Sequence, residues 1–270
     1  MNFSTKTLAQ IPPIVALDGD RIMVSGSRRD IHAWLKADNM RFSNAFIIHD
    51  PCGCLKKRYG SVLRQNGYGI KVFDSTCGAE SARYNPFSYI RDSGGVKELA
   101  DAVLRGTQGS GDSEDYGFYY AEWLLLRTLF GYIHENARSD EQNFNTVFEM
   151  IENMKNCEDW DDYVTAVDLM FDSWKDRDPF NPNVLRYKHF KATPYAKDNK
   201  LLDSCAERLA PLVTKQALDL MSEDELRFNE WSYDKTALFV RTDKNCSHLG
   251  FLTPLMYSQF FSAAYERAVI

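Results

Sequence analysis

The sequence lacks a surplus of basic residues and any long apolar run. Its 32 Lys and Arg residues are outnumbered by 38 Asp and Glu residues, which gives a formal net charge of -6 at pH 7. Because phosphate binding requires concentrated Lys and Arg, this balance excludes a chain whose whole surface contacts nucleic acid. No apolar run reaches the roughly 18 residues of a membrane-spanning helix, and the N-terminal segment contains no stretch of signal-peptide length. We therefore expect a cytoplasmic chain without a membrane span.

Cysteine and histidine are sparse and scattered. Six cysteines in 270 residues do not make the dense framework of a small secreted domain, so a reducing compartment is expected. No nucleophile elbow is present, and the five histidines stand in unrelated contexts. His49, beside an aspartate at a predicted strand end, is more often a structural residue than a catalytic one. Cys52 and Cys54 with Cys246 and His248 have the wrong spacing for a structural zinc site, so no metal is expected.

The first part of the chain alternates between strand and helix patterns. Apolar runs at 14–17 and 21–24 flank an Asp-Gly-Asp turn, which predicts a strand, a turn and a strand. The continuous apolar run 45–48 is typical of a strand buried on both faces of a parallel sheet. A helix over 55–65 and a strand over 69–73 follow it. This alternation predicts an α/β fold.

Helical periodicity dominates from about residue 95. It predicts helices over 96–104, 118–134 and 143–154 without a strand between them. The glycine-rich segment before the second of these could be a phosphate cradle, but no Lys follows it and acidic residues surround it. A helix–helix connection with an N-cap at Ser113 or Asp115 is therefore favoured.

The aromatic helix in this region also has two interpretations. It could present rings for base stacking, but Phe118, Leu125, Leu129 and Tyr132 recur at core-like intervals, which favours packing.

The rest of the chain returns to an α/β pattern. Helical periodicity covers 160–174 and 200–220, a strand is predicted at 236–240, and a final helix covers 252–267. We therefore predict three regions. Residues 1–95 begin an α/β domain, residues 96–195 form an all-helical domain, and residues 196–270 return to the α/β domain.

Three segments, in this order, resemble the TraG-type coupling proteins of type IV secretion. Residues 47–55 resemble the family's strand followed by Asp-Pro-Lys-Gly-Glu. Residues 67–74, followed by Arg83-Tyr84-Asn85-Pro86, resemble its next strand and Tyr-Asn-Pro turn. Residues 235–240 and the segments 255–259 and 265–267 resemble the stretch that leads to the family's catalytic acidic strand.

The resemblance carries expectations about fold and partners. Family members are membrane-tethered hexameric ATPases whose RecA-like domain is interrupted by an all-helical insertion. The resemblance therefore implies an incomplete RecA-like P-loop NTPase fold with an inserted all-α domain. It implies partners in a conjugative transfer or type IV secretion apparatus, including a relaxase or DNA cargo, and an open sheet edge would also allow self-association.

The sequence departs from the family where phosphate should bind. A phosphate loop needs glycines for backbone N–H groups, a Lys for the outer phosphates and a hydroxyl for magnesium. On the family pattern Ile31 stands at the second glycine, His32 at the Lys and Ala33 at the hydroxyl residue. Arg28 and Arg29 remain as anion-attracting residues. The candidate phosphate-site residues are Gly26, Ser27, Arg28, Arg29 and His32.

Other catalytic groups of the family are missing as well. Cys52 and Cys54 occupy the Lys and Glu positions of the Asp-Pro-Lys-Gly-Glu element, and the sequence ends before the acidic strand. Phosphoryl transfer depends on positioned cations and carboxylates, so we expect no catalytic residue, no cofactor and no ATP hydrolysis. The expected function is protein or DNA-cargo binding. The alternatives are part of a split or truncated DNA-translocating ATPase completed by another chain, and a functionless remnant of a mobile element.

Overall fold

The computed structural model describes residues 14–18, 21–24, 31, 45–107, 115–155, 164–231, 235–242 and 249–268. These residues divide into two compact units. The sheet unit takes the described residues of the ranges Met1–Tyr84, Glu223–Cys246 and Met256–Ile270. The helical unit takes those of Asn85–Ser222 and Ser247–Leu255. The predicted helical domain, 96–195, lies inside the second unit.

In the described residues, the sheet unit contains one five-stranded sheet. Its strands are β1 Ile14–Asp18, β2 Arg21–Val24, β3 Ala45–His49, β4 Gly69–Asp74 and β5 Thr236–Arg241. The order across the sheet is β1-β2-β3-β5-β4. β1 and β2 are antiparallel, and every other neighbouring pair is parallel. The class is mixed α/β, as the alternation of strands and helices predicted.

β5 lies between β3 and β4 although it is far from both in sequence. Its residues 236–240 are buried, and its register pairs Phe239 with Ile48 on one side and with Val72 on the other. A strand with an apolar side chain at nearly every position suits a central place in a parallel sheet, because both of its faces are covered.

Helix α1, Cys54–Gln65, packs on this sheet. Its buried residues Leu55, Tyr59 and Leu63 recur every four positions, so they share one face of the helix. They join an apolar cluster that includes Phe46, Ile48, Val72 and Phe239. The helix ends at Asn66, and Gly67 follows with a φ of 85°, a backbone conformation that favours glycine.

The helical unit is built from helices that begin at side-chain caps. They are α2 Ser93–Gly106, α3 Tyr116–Asn136, α4 Phe144–Glu152, α5 Ala166–Arg177, α6 Pro182–Lys191, α7 Asn199–Leu209 and α8 Lys215–Leu220. In each, a polar side chain accepts a backbone N–H of the first turn, which satisfies a donor that the helix itself leaves unpaired. The capping residues are Asp92, Asp115, Asn143, Thr165, Asn181, Asp198 and Thr214. The last described helix is α9, Leu252–Ala268.

One helix that the sequence predicts as continuous is interrupted in the structure. The segment 200–220 forms α7, a short 3-10 helix at Ala210–Leu212 and then α8. Pro211 lacks a backbone N–H and its ring clashes with the preceding turn, so the α-helix ends before it. Thr214 then caps a new helix.

Other boundaries also differ from the predicted ones. Helix α6 was not predicted, although Asn181 caps it and Pro182 occupies its first position, a common place for proline. The predicted helix 160–174 corresponds to α5, and its predicted start lies outside the described residues. None of the described helices combines the length and the apolar character needed to cross a membrane.

Candidate functional site

The carboxyl ends of three parallel strands meet at one edge of the sheet unit. β3 ends at His49, β4 at Asp74 and β5 at Arg241, and the register pairs Asp74 with Arg241. Asp50 follows β3, and its N–H donates to the Val240 carbonyl over 2.8 Å. Ligands of open α/β sheets bind outside the carboxyl ends of the strands, so this edge is the candidate site.

Asp50 is buried and serves as a helix cap. Its side chain is 1% exposed, and its Oδ2 accepts the N–H of Lys56 in the first turn of α1 over 2.9 Å. The thiol of Cys52 lies 3.9 Å from its Oδ1. Gly53 holds the N-cap position with a φ of 66°, so it offers no side chain to cap the helix and Asp50 supplies the acceptor instead.

Asp74 is buried in a second set of contacts. Its Oδ1 accepts the N–H of Thr76 over 3.0 Å and the hydroxyl over 2.6 Å. Its Oδ2 lies 3.4 Å from Nη1 of Arg241. A Cβ on Gly78 would come within 2.4 Å of this oxygen, so the turn after β4 needs a glycine there. The carboxylate is thus enclosed by the turn that follows its own strand.

The rim of the edge carries further charges. Lys56 Nζ lies 2.5 Å from Oε2 of Glu80, and this hydrogen bond and the lysine charge lower the pKa of Glu80. Partial burial lowers the pKa of His49, while the neighbouring Asp50 opposes the shift. Arg241 Nε is buried and has no acceptor in the described residues. Among the described residues of this edge, the Arg241 guanidinium has a donor without an acceptor. The carboxylates of Asp50, Asp74 and Glu80 are all engaged in contacts.

The sequence offered two other candidate groups near this edge, His49 with Asp50 and the cysteines Cys52 and Cys54. The Asp50 carboxylate faces the Lys56 N–H and the Cys52 thiol, so the described contacts do not make His49 and Asp50 a catalytic dyad. The described residues contain no group of three or more His, Cys, Asp and Glu side chains able to hold a metal. The zinc site considered from the sequence would also need Cys246 and His248. Both lie outside the described residues.

The predicted phosphate-site residues are not described. Gly26, Ser27, Arg28, Arg29 and His32 lie outside the described residues, so their role stays a prediction. Ile31, which lies between them, is helical and 3% exposed. It belongs to the apolar cluster under α1, so its described role is packing.

The sequence did not predict which residues form ion pairs with the charged groups at this edge. It did not foresee Arg241 beside Asp74, nor Glu80 beside Lys56. The usable signal was the position of Asp74 and Arg241, each at the end of a predicted strand, because the carboxyl ends of parallel strands share an edge. Nothing in the local sequence around Glu80 indicated its partner, which lies 24 residues away.

Comparison with known families agrees with the resemblance carried by the strands. Residues 39–269 match the family described as Type IV secretory system Conjugative DNA transfer. This range covers most of the chain, so the protein belongs to that family. No curated protein matches the chain.

Proposed function

We propose that this protein is a binding module of conjugative DNA transfer that does not hydrolyse ATP. In this proposal it keeps an incomplete RecA-like fold, works in the cytoplasm and contacts components of a type IV secretion apparatus, a relaxase or DNA cargo. The observation that carries the proposal is that, in a member of this family, both buried carboxylates of the candidate edge are engaged by protein groups. Asp50 caps a helix and Asp74 is enclosed by Thr76 and Arg241.

The chemistry of phosphoryl transfer supports this reading of the edge. A nucleotide site holds magnesium with oxygen ligands and the outer phosphates with a positioned cation. Two of the edge's carboxylates are turned towards protein donors, and the sequence has His32 and Ala33 where the family has a Lys and a hydroxyl residue. Histidine is mostly neutral at pH 7, and alanine cannot ligate a metal.

The proposal assigns the binding role to the helical part of the chain. Residues 1–95 and 196–270 are proposed as the nucleotide-binding-like scaffold, and residues 96–195 as the inserted all-helical domain. The separation of the described residues into a sheet unit and a helical unit supports a two-part organisation, and the helical unit extends beyond 96–195 because it takes Asn85–Ser222. In the family this resembles, the helical domain is associated with recognition of DNA-processing cargo.

Titration calorimetry with ATP and magnesium tests the proposal. The wild-type chain is expected to give no saturable binding, and a micromolar dissociation constant would contradict it. A His32→Lys/Ala33→Thr variant restores the cation and the hydroxyl while leaving the buried Ile31 in place. Binding by this variant alone would support a surviving RecA-like phosphate loop, and failure of both proteins would count against that part of the proposal.

The same preparation separates the proposal from the split-ATPase alternative. Hydrolysis of ATP by the wild-type chain mixed with purified apparatus components, and by neither alone, would favour an enzyme completed by another chain. Capture of those components without hydrolysis would favour the binding module.

A further inference from the structure

Two cysteines flank a glycine at the candidate edge, where the proposed function gives them no role. Cys52 and Cys54 lie in the turn that leads from β3 into α1, and both are present as thiols. Cys52 is exposed and Cys54 is half-buried. Cys205 of the helical unit is different, because burial raises the pKa of its thiol and makes it unreactive. The turn therefore presents an accessible thiol with a second thiol beside it.

Gly53 carries the chain round this turn. Its φ of 66° lies in the left-handed region that favours glycine, and its N–H donates to the Asp50 carbonyl over 3.0 Å. In an extended chain, residues two apart have Cα atoms roughly 7 Å apart, which is the limit that a disulfide can span. A turn at the middle residue shortens this distance, which favours a disulfide between its neighbours.

The Cys54 side chain is folded back towards residue 52. Its Sγ lies 3.7 Å from the carbonyl oxygen of Cys52. The Cys52 thiol lies 3.9 Å from Oδ1 of Asp50. Both contacts are long and a thiol is a weak donor, so giving them up to bring the sulfurs together costs little.

A cation with an unused donor lies against the same turn. A Cβ added to Gly53 would lie 3.2 Å from Nε of Arg241 and 3.4 Å from its Cζ, so the guanidinium packs against this glycine. Nη1 of Arg241 faces Asp74, whereas its Nε is buried and has no acceptor in the described residues. Cys54 is also the first residue of α1, where backbone N–H groups favour an anion.

These surroundings favour thiol chemistry at the turn. A neighbouring cation and a helix N-terminus both favour the thiolate, which is the form that attacks a disulfide. The Asp50 carboxylate beside Cys52 acts in the opposite sense. On the family pattern a Lys and a Glu stand where this chain has Cys52 and Cys54, so the thiol pair is a property of this chain.

We infer that Cys52 and Cys54 form a reversible redox site, which small disulfides such as glutathione disulfide oxidise. The exposed Cys52 thiolate attacks one sulfur of the small disulfide, so that a mixed disulfide forms and one small thiolate leaves. The Cys54 thiolate then attacks Cys52 Sγ, which forms the Cys52–Cys54 bond and releases the second small thiolate. The protein thiols lose two protons and two electrons, and the two small thiols carry them away. Transient disulfides of this kind occur in reducing compartments.

Peptide mass spectrometry of the full chain tests the inference. After incubation with glutathione disulfide and alkylation, trypsin cleavage at Arg41 and Lys56 gives the peptide 42–56, which contains no further cysteine. The wild-type peptide is expected to be unalkylated and lighter by two hydrogen atoms, and excess glutathione should restore its alkylation. Cys54→Ser should stop at the glutathione adduct of Cys52. Cys77→Ser is the matched control, since Cys77 is a half-buried thiol of the same unit, and it should behave as the wild type.

Gly53→Ala separates the role of the turn from the mere presence of two thiols. An alanine must enter the left-handed region to bring the sulfurs together, so its equilibrium constant for oxidation by glutathione disulfide should fall about fivefold or more. Gly60→Ala is the control, because its Cβ meets only Lys56 Cγ at 3.9 Å. Arg241→Gln should slow disulfide formation, and Arg241→Lys, which keeps the charge, should recover most of the rate.

Circular dichroism and a urea unfolding midpoint report whether each variant folds. Three outcomes would each overturn the inference: thiols that stay fully alkylated in excess glutathione disulfide, a disulfide that joins either cysteine to Cys77, and a Gly53→Ala variant that is oxidised as readily as the wild type. Equal rates for the wild type and Arg241→Gln would overturn the part assigned to Arg241. None of these readouts involves ATP, so the inference goes beyond the proposed function and is tested separately from it.

Discussion

Arg208 and Glu122 form a bidentate ion pair in the core of the helical unit, with both side chains 0% exposed. Arg208 Nε lies 3.0 Å from Glu122 Oε1, and Nη2 lies 3.0 Å from Oε2. Ser204 donates to the same carboxylate over 2.6 Å. Arg208 Nη1 donates to the carbonyl of Thr107 over 2.8 Å, so the pair joins α3 and α7 to the end of α2.

Breaking this pair is expected to cost more than removing it. Arg208→Met leaves a buried carboxylate without its cation and should lower the free energy of unfolding by about 3–5 kcal/mol. The Glu122→Leu/Arg208→Met double variant removes both charges, so its loss should fall at least ~1 kcal/mol short of the sum of the single losses. Urea unfolding of the four proteins measures this difference. Additive losses would contradict a coupled pair.

Gly106 is expected to resist replacement by alanine although it is helical. A Cβ at this position would lie 2.2 Å from Cβ of Phe251, a buried residue of the same unit. Overpacking of this kind typically costs about 1–3 kcal/mol, which exceeds the gain of roughly 1 kcal/mol in helix propensity. Gly60→Ala is the control, because its new Cβ would contact only Lys56 Cγ at 3.9 Å. Thermal unfolding should show Gly106→Ala destabilised and Gly60→Ala unchanged or stabilised.

Asp168 makes stability depend on pH at the junction of α5 and α6. Burial alone would raise the pKa of Asp168, but hydrogen bonds from Lys191, Thr165 and Tyr187 lower it below its ordinary value of 3.8. The unfolded chain then binds its proton at a higher pH than the folded one. The contribution is therefore present above 3.8 and is lost as the pH falls through the folded pKa.

Asp168→Asn should lower the free energy of unfolding by about 1.5–3 kcal/mol at neutral pH, the range of a hydrogen bond to a charged group. The difference from the wild type should shrink as the pH falls through the folded pKa. Urea unfolding over this range measures it. Asp172→Asn is the control, since that carboxylate is 66% exposed and 3.7 Å from Lys175. A loss for Asp168→Asn that does not change with pH would rule out the ionised carboxylate as its source.

Asp50 is expected to act on stability through α1. Asp50→Ala removes the acceptor of the Lys56 N–H and should cost about 1–2 kcal/mol, as for the loss of an N-cap. His49→Gln, one residue away, leaves that hydrogen bond in place and should change stability little near neutral pH. Chemical denaturation of both variants checks this. Equal losses of stability for Asp50→Ala and His49→Gln would show that the effect comes from changing the end of β3 and not from removing the helix cap.

The local elements of this protein could be predicted because their causes are local. Strand β3 follows from a continuous apolar run, and α1 follows from apolar residues at helical spacing followed by Asn66-Gly67. The error at Pro211 came from giving the apolar period more weight than proline, although the missing N–H and the ring clash end a helix regardless of the face it presents.

The site was less accessible to sequence reasoning. The ends of β3 and β4 were identified, but the partners of their acids were not, because Arg241 reaches Asp74 only through the pairing of β4 with β5. The aromatic pattern of α3 predicted core packing, and only the structure separated the fully buried Leu125 and Leu129 from the partly buried Tyr120 and Trp123.

By itself the sequence determined the mixed α/β class, the Asp115 cap of α3 and the family to which the protein belongs, since these depend on short-range patterns and motifs. Only the tertiary structure decided that β5 lies between β3 and β4 and that Arg208 neutralises Glu122, which is 86 residues away. Many apolar strands and many charged residues would satisfy the same local pattern. Burial selects among them, because a central strand must be covered on both faces and a buried charge must have a partner.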